Sequence, residues 1–277
     1  MIARSRAVAA PGGRLIELAC QPPLTVRQIA AAGPGVCALC LVGTAAGPLA
    51  GDDLTLRLEV LPGASASLQA AGAAIAQGRA GGAASSLRLQ AVVGAGGCLR
   101  ADPGALIVRA GGRIAAHVEI DLGAHAQLEW HELIFLDTRQ APPGAAPAAT
   151  LRWDVTREGV PLLRQLIDLT SAESFRDAFM LAGRRVLASA LLSGNAVRGQ
   201  TIIARPTAVA QQLADSTVLI TVLADDAATA QQQVADLCDQ VRRPAVPDAV
   251  SWSGPLAGGQ GRARYPGPRA DRVERAT

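Results

Sequence analysis

The sequence contains no lysine: all 26 of its basic residues are arginine, a skew that reflects codon composition rather than chemistry. Aromatic residues make up only 3% of the 277 residues. Ala, Val and Leu must therefore fill the core, and because small side chains each bury little area, their packing has to be close. Charge of one sign is also lacking, since the formal net charge is +3 with 23 acidic residues interspersed. So mild an excess does not suggest a nucleic-acid binder, which normally gathers its basic residues into a patch. Long apolar runs are missing. The longest uncharged stretch, residues 28–51, carries Pro34, Pro48 and several Gly, and the backbone groups freed there would be costly in lipid. Arg4 and Arg6 are not followed by a continuous apolar segment, so no signal peptide is expected. Five cysteines at irregular spacing do not make the even framework of a small secreted domain. A cytoplasmic, reduced protein without a membrane or nucleic-acid partner is the simplest expectation.

What is present is period-two alternation. Leu54, Leu56, Leu58 and Val60 alternate with Thr55, Arg57 and Glu59. Leu87, Leu89 and Ala91 alternate with Arg88 and Gln90. Ile114, Ala116, Val118, Ile120 and Leu122 alternate with polar or small residues. Each reads as a strand with one buried and one wet face, and Leu151, Trp153 and Val155 suggest another. The first three end alike, at Gly63-Ala64, Gly94-Ala95 and Gly123-Ala124, with 31 and 29 residues between successive glycines. Strand, Gly-Ala turn and second strand, repeated at a near-constant period, predict stacked β units that bury a shared face.

Helical signals come late. Ser174, with Asp177 at the capping-box position, predicts a helix over 174–192. A second is expected after a strand at 217–223: Asp225 or Asp226 caps it, 231–241 carries it, and Arg242-Arg243-Pro244 ends it. Residues 141–149, with three Pro, read as a loop. The Gly-, Pro- and Arg-rich end from about 254 cannot bury enough apolar area to order itself. The expected layout is one mainly β domain over 1–253, a stacked antiparallel or solenoid-like scaffold with two C-terminal helices, and a disordered tail over 254–277.

Signals for chemistry are sparse. Cys37 and Cys40 have C-x-x-C spacing, but no second ligand pair and no following helix pattern support a zinc or redox site, and buried thiols are the expectation. Residues 94–97 are Gly-rich without the Lys-Ser/Thr of a phosphate loop. No G-x-S-x-G elbow is present, and Asp52-Asp53 read as a turn and a strand start. The richest polar cluster is His117, Glu119, Asp121, His125, Gln127, Glu129 and His131, which holds every histidine of the chain within 15 residues. If Gly123-Ala124 centre a hairpin, His117 sits opposite Glu129 and Glu119 opposite Gln127. Imidazole with carboxylate suits Ni, Zn or Cu, which makes His117, Glu129 and His131 candidate transient metal contacts. The same residues also read as a solvated sheet face with ordinary cross-strand pairs.

The order of these motifs resembles one known family. Residues 51–56, Gly-Asp-Asp-Leu-Thr-Leu, resemble the Gly-Asp-x-Leu strand start of the UreD/UreH urease accessory family. Leu61-Pro62-Gly63-Ala64, the turn at Gly94-Ala95 and the segment at Gly123-Ala124 to Trp130 are similar to its three Gly-Ala turns, over about 29–169. The family's Thr-Pro-rich stretch is reduced at 70–79 to Ala, Gly and Arg79, and its Glu-Trp-x-Pro-Gln to Leu99-Arg100-Ala101-Asp102-Pro103. The resemblance implies a non-enzymatic scaffold without a tightly bound cofactor, with nickel in transit. It also implies the partners urease apoprotein, the helical protein UreF and the GTPase UreG, and an exposed apolar docking surface. A generic β-solenoid interaction module without metal chemistry is the alternative, and a hydrolase on a β scaffold would require a pocket of convergent titratable groups.

Overall fold

The structure, a computed structural model, describes residues 1–138, 144–171, 173–174, 176–177, 180–195, 197, 202–214 and 216–242. They belong to one compact unit, Met1–Pro244. The expected tail, the boundary near 253 and the first residues of the Pro-rich loop lie outside the described residues.

In chain order the strands are β1 (Ile2–Ala10), β2 (Arg14–Ala19), β3 (Leu24–Gln28), β4 (Val36–Gly43), β5 (Asp53–Val60), β6 (Ser65–Ala70), β7 (Ala74–Ala76), β8 (Ser85–Val93) and β9 (Cys98–Asp102). There follow β10 (Ala105–Val108), β11 (Arg113–Leu122), β12 (Gln127–Leu136), β13 (Ala148–Arg157), β14 (Val160–Leu169), β15 (Val186–Ser193), β16 (Ile202–Arg205), β17 (Ala208–Ala214) and β18 (Thr217–Ala224), then helix α1 (Ala227–Val241). They form two sheets. The first runs β14-β13-β11-β8-β5-β1-β2, and the second β16-β17-β18-β15-β12-β9-β6-β4-β3, with β10 beside the end of β12 and β7 beside β10.

The three sequence repeats are three layers of this arrangement. In each, the first strand lies in one sheet, the Gly-Ala turn carries the chain across, and the second strand joins the other sheet. Equivalent strands therefore pair in parallel: β5 with β8, β8 with β11 and β11 with β13 on one side, β4 with β6, β6 with β9 and β9 with β12 on the other. The expected antiparallel stacking holds only at the ends, where β2, β14, β3 and the β15–β18 group pair antiparallel. The turns stack as well: Gly63 N donates to Ala95 O at 3.0 Å, and Gly96 N to Ala124 O at 2.8 Å. A Cβ on Gly94 would stand 2.6 Å from Pro62 N, and one on Gly123 2.7 Å from Ala95 N. Only glycine lets successive corners lie this close.

The alternation seen in the sequence is the inner face of each sheet. Leu54, Leu56, Leu89, Val118 and Ile120 meet Leu68, Leu99, Trp130 and Ile134 in the main core. A second core lies under α1, where Val234, Leu237 and Cys238 pack against Val186, Ala190, Val218 and Ile220. The Asp226 side chain caps α1 by accepting from Thr229 N at 2.9 Å, as its sequence predicts.

The other expected helix, 174–192, is absent: its second half is β15, and the described part of its first half is turn. Ser174 Oγ donates to Asp168 O at 3.1 Å rather than capping a helix. Every residue of β15 is buried, with Leu187 and Leu191 in the main core and Val186, Ala188, Ala190 and Leu192 under α1. A strand covered on both faces loses its alternation and looks like an apolar helix segment. Phe175 and Phe179, which fall in that span, lie outside the described residues.

Candidate functional site

β12 is the strand on which the polar features converge, because it lies between both cores. Its even-numbered residues face the first sheet and its odd-numbered residues face outward, toward α1. This parity divides its three ionisable residues: Glu132 points inward, Glu129 and His131 outward.

The inward side holds a cavity of about 420 Å³ between the sheets. It lies where the second sheet is interrupted, at Ala71–Ala73 between β6 and β7 and at Pro103-Gly104 between β9 and β10. Ala101 faces Trp130 but Ala105 faces Leu133, so three residues of the inner path span what two residues span on β12. Exposed Ala45, Ala46 and Ala73 line its outer part, and Leu54, Leu89 and Val118 its floor. Glu132 is the one carboxylate among the described lining residues. Its Oε2 accepts from Trp153 Nε1, across the core on β13, at 2.7 Å. Burial pushes the Glu132 carboxyl up to about 7, with the Trp153 hydrogen bond opposing only part of the shift. It therefore exchanges a proton near neutral pH and offers an oxygen ligand once ionised. His117 is the other titratable residue of the described lining, and its ring nitrogens are taken up by Glu119 and Asp154 on the outer face of the sheet.

On the outward side Glu129 and His131 meet. His131 Nε2 is 2.9 Å from Glu129 Oε1, and Cys238 of α1 brings a third donor atom, all within 4.8 Å of one another. Arg242 Nη2 lies 2.7 Å and Arg100 Nε 3.4 Å from the same Oε1. Burial alone would raise the Glu129 carboxyl. The hydrogen bond and charge of His131 and the charges of Arg100 and Arg242 outweigh it and hold the group at about 2. Burial, then the nearby Glu129 charge, push the Cys238 thiol up to about 12.

His117 is not part of this group. The expected hairpin does not form, because β11 and β12 lie in different sheets: His117 is level with Arg88 and Arg152, and Glu129 with Arg100 and Leu192. The chain crosses at Gly123 instead of turning back, and the even-numbered apolar residues of β11 and β12 then meet across the core. His117 sits in a polar ladder on the outer face, with Nδ1 2.9 Å from Glu119 and Nε2 2.8 Å from Asp154. Arg88 and Gln90 also reach Glu119, and Thr156 donates to Asp121. This half of the cluster is the cross-strand pairing that the sequence also allowed. Cys37 and Cys40, three apart on β4, point to opposite faces and are unbonded.

Glu132, Cys238 and Arg242 are functional candidates that the sequence reading passed over. Glu132 had a signal, since an acid shares the parity of Leu128, Trp130 and Ile134. Cys238 lies on the apolar stripe of α1 with Val234 and Val241, but nothing local tells which strand that stripe covers.

With this geometry in view, comparison with known proteins is decisive. Residues 4–251 match the model of the family described as UreD urease accessory protein. The chain belongs to the UreD family. It is 34% identical over 188 residues to urease accessory protein UreD 1 of Saccharopolyspora erythraea, covering 66% of this chain and 72% of that one. It is 32% identical over 245 residues to urease accessory protein UreD of Parafrankia sp., covering 81% and 82%. Over 220 residues it is 34% identical to the UreD of Frankia alni, covering 72% of each. The family places the chain in urease maturation. Its relatives are named as accessory proteins, not enzymes, and no described helix is long and apolar enough to cross a membrane.

Proposed function

We propose that the chain is a non-enzymatic, cytoplasmic assembly factor that works with UreF and the GTPase UreG to place nickel in urease apoprotein. The observation that carries this reading is the apolar cavity with Glu132 as the single carboxylate among its described lining residues. An apolar wall binds no hydrated ion tightly, and one oxygen ligand is too few to retain a divalent cation. Such a passage lets an ion enter, exchange with the Glu132 proton and leave. Nickel is the substrate here, not a resident group.

Docking is supported by apolar side chains left exposed on the two edge strands of the first sheet, Val160 (64%) and Leu166 (66%) on β14 and Ile16 (54%) on β2. Edge strands offer unpaired backbone groups as well as side chains to a partner. The test is a strain lacking the gene: urease polypeptide accumulates normally but without nickel. Full nickel content in that urease would overturn the proposal. Glu132→Ala in the same strain separates passage from docking, because the complex with urease still co-purifies while nickel content falls.

A further inference from the structure

The outward cluster on β12 does more than hold a helix in place. Its three donors are a carboxylate oxygen, an imidazole nitrogen and a thiol sulfur, all within 4.8 Å of one another. Donors bound to one tetrahedral ion at about 2.0–2.3 Å lie roughly 3.3–3.8 Å apart, so closing this set takes only side-chain rotation. Sulfur with nitrogen suits a borderline ion such as Zn²⁺, Co²⁺ or Ni²⁺ and disfavours Ca²⁺ and Mg²⁺. The set joins two elements, since Glu129 and His131 come from β12 and Cys238, 1% exposed, comes from the last turn of α1.

The cluster already gathers three nitrogen groups at one point. His131 Nε2 at 2.9 Å, Arg242 Nη2 at 2.7 Å and Arg100 Nε at 3.4 Å all address Glu129 Oε1. Arg100 is held on β9, with a side chain 17% exposed. The Arg242 side chain is 30% exposed and stands at the C-cap of α1, where its backbone N–H donates to Cys238 O. Its guanidinium can turn into solvent without unwinding the helix.

We propose that Glu129, His131 and Cys238 form a latent site for a borderline divalent cation, closed by the Arg242 guanidinium when the ion is absent. On binding, the metal–sulfur bond forms, the Cys238 S–H bond breaks and its proton goes to solvent. The imidazole adopts the Nδ1–H tautomer, Arg242 leaves with its charge, and water takes the fourth position. Two positive charges enter, one leaves with Arg242 and one with the thiol proton, so the net charge of the cluster is unchanged. This balance distinguishes the exchange from insertion beside both arginines, which would add uncompensated charge to a buried place. Occupancy replaces the Arg242–Glu129 ion pair with a metal bridge between the end of α1 and β12, so the site reports ion binding through the release of Arg242.

The inference stands apart from nickel delivery: it is decided by metal binding to the isolated full chain, whereas the delivery proposal is decided by the nickel content of urease. The probe is Co²⁺, titrated into the reduced protein and followed by its thiolate-to-metal charge-transfer band and tetrahedral d–d bands. One Co²⁺ per chain with a thiolate band is expected. Cys238→Ser abolishes the band, and Arg242→Gln tightens binding by about tenfold, as release of a neighbouring competitor should. Circular dichroism confirms that each variant is folded, and His131→Gln serves as a second ligand variant if Cys238→Ser is not. Competition by Zn²⁺ and by Ni²⁺ then tells a resident ion from cargo. A band that persists in Cys238→Ser, or a folded Arg242→Gln chain that binds Co²⁺ no better than the parent, overturns the site and leaves a plain ionic tether.

Discussion

Glu129 and Glu132 stand three residues apart on β12, yet one carboxyl is held at about 2 and the other rises to about 7. Both are removed from water. Glu129 turns toward α1, where an imidazole and two guanidiniums compensate its charge. Glu132 turns into the apolar cavity, where one indole N–H is its only hydrogen-bond donor among the described residues. Desolvation is common to the two sites, and the supply of opposing charge sets the outcome. The first arrangement makes a fixed anion that anchors a helix; the second makes a carboxyl that keeps its proton up to about 7.

The comparison can be broken most forcefully at Glu129. Replacing it by Ala leaves Arg100 and Arg242 facing each other, and a loss of about 3–5 kcal/mol is expected, read from urea unfolding. Acid gives the same result by titration. The folded carboxyl lies below its ordinary value of 4.5, so its stabilisation is present above that value and lost as pH falls from there toward about 2. An unchanged midpoint in the variant would mean that the cluster carries no net stability.

Glu132→Gln works in the opposite sense. Because the folded value exceeds the ordinary one, the wild-type chain loses stability as pH rises from 4.5 to about 7. At pH 8 the glutamine variant is expected to be more stable by up to about 3 kcal/mol, and at pH 4 equally stable. A gain that does not depend on pH would show that ionisation of Glu132 is not its source. If Glu132 handles nickel, the same substitution lowers urease nickel content while raising stability, the usual opposition between a site and its scaffold.

Gly94→Ala probes the stacked corners rather than the charges. With the new Cβ 2.6 Å from Pro62 N, the layers must separate, and a loss of about 1–3 kcal/mol is expected from thermal unfolding. The smallest effect belongs to His117→Ala. Its ladder lies on the wet face of the first sheet, where cross-strand ion pairs contribute less than about 1 kcal/mol. A loss above that, or a change in metal binding, would return His117 to the site from which the fold separates it.

The three layers were legible because period-two alternation and a recurring Gly-Ala turn are local signals. The sheet to which each strand belongs was not, since hairpin and crossover corners look alike in sequence and the alternation of the flanking strands is the same for both. Glu129 and His131 were within reach, as neighbours on one strand face. Cys238 and Arg242 were not, because they arrive from more than 100 residues away and share no periodicity with β12. The helix expected over 174–192 failed for a related reason: β15 is buried on both sides, and period analysis needs one wet face.

The interruptions in the second sheet follow a rule of their own. β9 and β10 spend one residue more than β12 across the gap. Gln69 faces Asp102 while Ala74 faces Leu106, so β6 and β7 spend one more again. The aperture therefore widens like a fan, hinged at β12 where Glu132 stands and broadest at the alanine-rich rim. A single-residue deletion in either inner layer would narrow the mouth by one step, leaving the hinge and its carboxylate untouched.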